Sequence, residues 1–126
     1  MPLVNPNTLA TLRAAVASPD KYVSGNKRQQ VRAAFDLACS QITNQTLGFE
    51  SQNRMMLRAK LNRLGEDAIP EEYATLVNAL KKALKAAEPL YSSKAYIDDD
   101  NEDTVQMRKF TSKGLKPLLD EIEKFP

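Results

Sequence analysis

Apolar residues in this chain recur at intervals of three and four from Leu9 to Phe125, and no stretch sustains an alternation of two with β-branched residues. That spacing puts apolar side chains on one face of a helix and leaves no segment patterned as a strand. Leu9, Leu12 and Val16 mark a first short helix that Asn7 can cap. Ser18-Pro19-Asp20 ends it, because a proline disfavours helical backbone at the residue before it. The segment KYVSGN then makes a connection, with Gly25 and Asn26 as turn residues.

A second helix is expected from about Asn26 to Leu47, with Val31, Ala34, Phe35, Ala38 and Ile42 as its apolar stripe and Gly48 as its breaker. A third should run from about Ser51 to Leu64, with Gly65 in the position favoured for a left-handed C-cap. Pro70 suits the first position of a fourth helix, with Glu71 and Glu72 in the first turn, where the helix dipole prefers anions. Tyr73, Leu76, Val77, Leu80 and Leu84 form its core face, and Lys81, Lys82 and Lys85 its outer surface. Pro89 should end or kink it near Ala87. A fifth helical stretch follows from about Glu102 to Phe125, split in two by Gly114 and Pro117. The expected fold is all-α: a compact bundle of four to six helices, antiparallel neighbours, no sheet, in one domain over residues 1–126.

Length supports that reading, since 126 residues can bury a core without metal or disulfide. No apolar run approaches the roughly 18 residues of a membrane span. The start, MPLVNPN, has neither the basic residues nor the apolar stretch of a secretory signal, so an intracellular, cytoplasmic protein is expected. Cys39 is the sole cysteine and histidine is absent. Together these exclude a disulfide framework, the Ser-His-Asp and Cys-His nucleophile systems and the usual zinc sites. We therefore expect no enzyme, no cofactor and no metal.

Several short motifs invite a chemical reading. An EF-hand loop begun at Asp98 needs glycine at its sixth position and glutamate at its twelfth; the chain has Asp103 and Lys109 there. A solvated acidic loop over 98–103 is the better reading. SGNKRQQ, residues 24–30, offers a helix start with Lys27 and Arg28, but not the second glycine of a phosphate loop. Cys39 has no neighbouring cation in sequence and reads as a buried, inert thiol. The tyrosines and phenylalanines are scattered rather than interleaved with basic residues.

Charge is the most pointed signal. Residues 1–65 hold nine Lys and Arg against three Asp and Glu, a balance of +6; residues 66–126 hold nine against thirteen, a balance of −4. Such asymmetry suits an anionic partner of the basic half, or two copies meeting head to tail. Within NRMMLRAKLNRLG, residues 53–65, Leu57, Leu61 and Leu64 fall in one narrow stripe at about 100° per residue. Arg54 and Arg58 line one margin and Lys60 and Arg63 the other, with Met55 and Ala59 on the far side and Met56 between. Long cationic stems lying over apolar neighbours account for this without any ligand. A helix apolar on two faces can equally sit between its own bundle and a partner subunit, so Met55, Met56 and Ala59 are candidate interface residues.

Basic edges aligned on paired helices suit a duplex backbone, where phosphate contacts carry affinity without reading sequence. The second helix adds Lys27, Arg28 and Arg32. Val31-Arg32 with Asp36, then Ala38-Cys39 and Arg54-Met55, loosely resembles the small helical silencing suppressors of insect nodaviruses. That resemblance implies a dimer binding double-stranded RNA. The expectation is a non-enzymatic nucleic-acid-binding protein, a homo-oligomer, that uses Lys27, Arg28, Arg32, Arg54, Arg58, Lys60 and Arg63. The alternative is a protein-interaction module or assembly subunit with no role on nucleic acid.

Overall fold

Asn5, rather than Asn7, starts the first helix. Its side-chain oxygen accepts the Asn7 backbone N–H at 2.8 Å. Pro6 takes the first helical position, where its fixed φ fits and its missing donor costs nothing. The computed structural model describes residues 3–23, 25–49, 53–91 and 100–125. Within them α1 spans Pro6–Ala17, α2 Gly25–Leu47, α3 Arg54–Arg63, α4 Ala74–Tyr91, α5 Asp100–Lys109 and α6 Lys116–Ile122. No strand occurs among the described residues, and the helices pack as an all-α bundle. Ser51, Asp98 and Asp99 lie outside the described residues, and with them the start expected for the third helix and the calcium reading. The backbone from Asp100 onward belongs to α5, which therefore begins before Glu102.

Glycine punctuates α2 at both ends. Gly25 and Gly48 have φ of +58° and +76°, the left-handed region where a Cβ is disfavoured. Gly65 does not follow that pattern. Its φ is −71°, and α3 closes on Leu64 in extended backbone. The chain runs straight into a 3-10 turn at Glu66–Ala68 and does not fold back over the helix end, so no left-handed residue is required. Pro70 likewise falls outside α4. Its ψ of 135° is extended, and its carbonyl accepts from Tyr73 N–H at 2.9 Å in a second 3-10 turn, Glu71–Tyr73.

Two prolines fail to break helices. Pro89 lies inside α4, which continues to Tyr91. Contacts from α2 hold that last turn, as set out below. Gly114 and Pro117 do not split the C-terminal stretch either. Between α5 and α6 the backbone widens into a π segment, Phe110–Leu115, and the rod stays continuous. Lys116 N–H donates to Thr111 O, five residues back, just before Pro117 supplies no donor at all. Hydroxyls cover carbonyls in the altered register: Thr111 Oγ1 donates to Met107 O at 2.9 Å, and Ser112 Oγ to Arg108 O at 2.7 Å.

The core runs through the middle of these helices. Leu12, Phe35, Ile42, Leu57, Leu61, Leu80, Leu84, Met107, Phe110 and Leu115 are fully buried. Phe35 and Phe110 meet edge to face with ring centroids 5.1 Å apart, joining α2 to the π segment. Gly114 sets the distance between that segment and α4. A Cβ built on it would lie 2.9 Å from Ala86 Cβ and 3.2 Å from Ala83 Cα, so glycine there permits a close helix approach.

Candidate functional site

Four arginines named from the sequence converge on the C-terminal end of α4. Arg28, only 8% exposed, donates from Nη2 to Leu90 O at 3.3 Å. Arg32 and Arg54 place their guanidinium carbons 4.5 and 4.3 Å from the Tyr91 ring centroid. Arg58 forms an ion pair with Glu88. Cations at a helix C-terminus are stabilising because the last carbonyls are partly negative and lack intrahelical donors. These contacts explain why the turn beyond Pro89 stays helical.

Tyr91 is the pivot of the cluster. Its hydroxyl donates to Asp36 Oδ1 at 2.9 Å and also lies 3.1 Å from Arg32 O. Burial pushes the Asp36 carboxyl above its usual range, and the Tyr91 hydrogen bond and the Arg54 and Arg32 charges only partly oppose this. The phenol is itself raised, first by burial and then by the Asp36 charge. Cys39 is buried beside this group; burial and Asp36 raise its thiol despite the nearby Arg54, which keeps it protonated and unreactive.

The other three sequence-named cations are exposed and stand apart. Lys27 lies over the Tyr22 ring at 5.8 Å and Lys60 over Phe49 at 5.4 Å. Arg63 is exposed at the end of α3. Met55 and Met56 are 72% and 55% exposed, and Ala59 is exposed as well. A pocket of about 260 Å³ gathers Arg54, Met55, Arg58, Ala59, Asn62 and Glu88 on this side of the bundle.

A second cationic surface lies elsewhere, in the half of the chain whose net charge is negative. Lys82, Lys85, Ala86 and Pro89 of α4 face Gln106, Lys109 and Lys113 of α5 and the π segment across a groove of about 410 Å³. The α4 residues sit at i, i+3, i+4 and i+7, one continuous helical stripe. Those opposite sit at i, i+3 and i+7. Among the described side chains no carboxylate lines the groove, and none of the four lysines has an ion-pair partner. Half-buried Ala86 and the exposed Pro89 ring supply its apolar lining. By contrast Arg108, next to Lys109 in sequence, is held by both oxygens of Asp20 at 2.8 Å, which lowers the Asp20 carboxyl below its usual value.

The residues named from sequence therefore divide. Arg28, Arg32, Arg54 and Arg58 come together, but around a helix end inside the protein; Lys27, Lys60 and Arg63 do not join them. The lysine groove was missed. Its two stripes are readable one at a time as lysines without intervening acids, but their juxtaposition is not. Among the described residues no group of three or more His, Cys, Asp or Glu is placed to hold a metal ion, and no helix is long and apolar enough to cross a membrane. No protein-family model, curated protein or solved structure matches the chain.

Proposed function

We propose that this chain is a non-enzymatic helical protein that binds nucleic acid through its phosphates, with the groove of Lys82, Lys85, Lys109 and Lys113 as the principal contact. A single observation carries the reading: four lysines face one another across a groove that no carboxylate among the described side chains lines. Lysine ammonium groups are flexible point charges, suited to phosphates in any sequence and poor at reading base edges. Lys27, Lys60 and Arg63 add exposed positive charge, whereas the four clustered arginines serve the fold first. An intracellular, cytoplasmic setting goes with this reading.

Titration of labelled nucleic acid by fluorescence anisotropy at about 50 and about 200 mM salt tests it. Affinity should fall steeply with salt, and polyglutamate of matched charge should compete poorly. Absence of binding at low salt, or binding indifferent to salt, removes the proposal. Equal competition by polyglutamate would assign the groove to an acidic protein instead.

A second reading, docking of a protein partner on α3, is favoured by the exposed Met55 and Met56 beside the 260 Å³ pocket, since methionines adapt to varied surfaces. A second copy of this chain is a poor match there. The segment Arg54–Arg63 carries four cations and no acid, so pairing α3 with its own copy would set like charges together.

A further inference from the structure

The shape of the lysine groove says more about its occupant than its charge does. The two walls are adjacent helical segments held close because Gly114 has no Cβ: one would meet Ala86 at 2.9 Å. The apolar lining between the lysines, its floor, is half-buried Ala86 and the exposed Pro89 ring, and each wall carries two lysines. At about 410 Å³ the space is at the small end of ligand pockets and matches a nucleotide-sized group.

A duplex presents its phosphates outward on a stiff rod and keeps its bases stacked inside. Laid on this groove it would reach the rim lysines and leave the apolar floor uncovered. An unpaired strand behaves differently. Its flexible backbone can follow the rims, phosphates against Lys82 and Lys85 on one wall and Lys109 and Lys113 on the other. A splayed base can then enter the groove and cover Ala86 and the Pro89 ring. Only the unpaired strand satisfies the charge of the rims and the apolar surface of the floor together.

Resting on the proposal that the groove binds nucleic acid, we infer that its ligand is single-stranded nucleic acid, engaged by four lysines and seated by one unpaired base on the Ala86–Pro89 floor. The floor has no aromatic ring, so the base contact is modest and sequence-tolerant. Gln106 brings the one side-chain amide among the described lining residues, and base preference is correspondingly slight.

Competition between a single strand and the same sequence annealed to its complement, with the whole protein at low and moderate salt, tests the inference. The single strand should bind about fivefold tighter, the ratio given by burying roughly 40 Å² of apolar surface. Lys82→Glu with Lys109→Glu, one change on each wall, should abolish binding of both forms. Pro89→Ser, which keeps the charge but removes the ring from the floor, should lower single-strand affinity severalfold and leave duplex affinity unchanged. Circular dichroism confirms that each variant is folded. Duplex binding equal to or tighter than single-strand binding overturns this inference and leaves nucleic-acid binding standing. So does a Pro89→Ser effect of equal size on both forms. Failure of both forms to bind at low salt overturns the underlying proposal as well.

Discussion

Arginines and lysines meet α4 in separate groups, and the two groups differ in everything but charge. Arg28, Arg32, Arg54 and Arg58 reach its C-terminal end from α2 and α3, and each is engaged by a carbonyl, a ring or a carboxylate of α4. Lys82, Lys85, Lys109 and Lys113 stand on the walls of a groove with no carboxylate among its described lining residues. Guanidinium is planar, weakly hydrated and able to stack, so it tolerates partial burial over Tyr91; ammonium is compact and strongly hydrated and stays in water. A cluster of cations points to a ligand only when the fold has not already supplied its counter-groups.

Breaking the arginine side should damage stability and leave binding intact. The largest effect is expected from Tyr91→Ala, which strips Arg32 and Arg54 of their ring and Asp36 of its donor. Because Tyr91 is only half-buried, a loss of about 2–3 kcal/mol, below that of a fully buried aromatic, should be visible in chemical denaturation. Arg28→Ala leaves Leu90 O without its donor inside the protein and should cost about 1–3 kcal/mol by the same measurement. If either variant lost nucleic-acid affinity while remaining folded, the division between the two groups would fail.

Gly114→Ala probes the boundary between the groups, because its new Cβ must push the π segment away from Ala83 and Ala86. A cost of about 1–3 kcal/mol is expected from overpacking, together with a change in the groove that α4 and the π segment share. On the lysine side, Lys82→Ala and Lys109→Ala should each shift stability by no more than about 0.5 kcal/mol. Each should nevertheless reduce the salt dependence of binding, by about 0.7 in the log–log slope on single strands. An unchanged slope would mean that these lysines touch no phosphate.

The smallest effect concerns pH. The raised Asp36 carboxyl favours its protonated form in the folded protein, so its contribution is fully present below the unfolded carboxylate pKa and is lost as pH rises through the higher folded value. Asp20 has the opposite sign. Held down by Arg108, it contributes above the unfolded value and loses that contribution as pH falls through its lowered one. Asp36→Asn keeps an acceptor for Tyr91 and should flatten stability on the mildly acidic side, whereas Asp20→Asn should alter only the more acidic limb. Thermal denaturation over a pH series separates them.

Much of this was legible in the residues. Helical spacing identified α1 to α4 and their core faces, because burying an apolar stripe is a local pattern repeated every turn. Gly48 marked the end of α2, and Leu57 and Leu61 the buried edge of α3, with Met55 and Ala59 outside. The effect of each proline depends on more than its own missing hydrogen bond. Pro89 is tolerated where arginines and Tyr91 hold the following turn, and Pro117 where a π register and hydroxyl donors absorb the irregularity.

What the sequence determined by itself is therefore the all-α class, most helix bounds to within a few residues, and the amphipathic face of each helix, since these depend on neighbours one turn away. Which cations are free was decided only by tertiary structure. Arg28 lies 62 positions from the carbonyl it holds, and Lys82 lies 27 or more from the lysines it faces. Charge counted along the chain assigned the binding role to the first half; packing placed counter-groups against those arginines and drew two unremarkable lysine stripes of the second half into one groove. A charge is neutralised by what lies beside it in space, and no local rule of sequence records that.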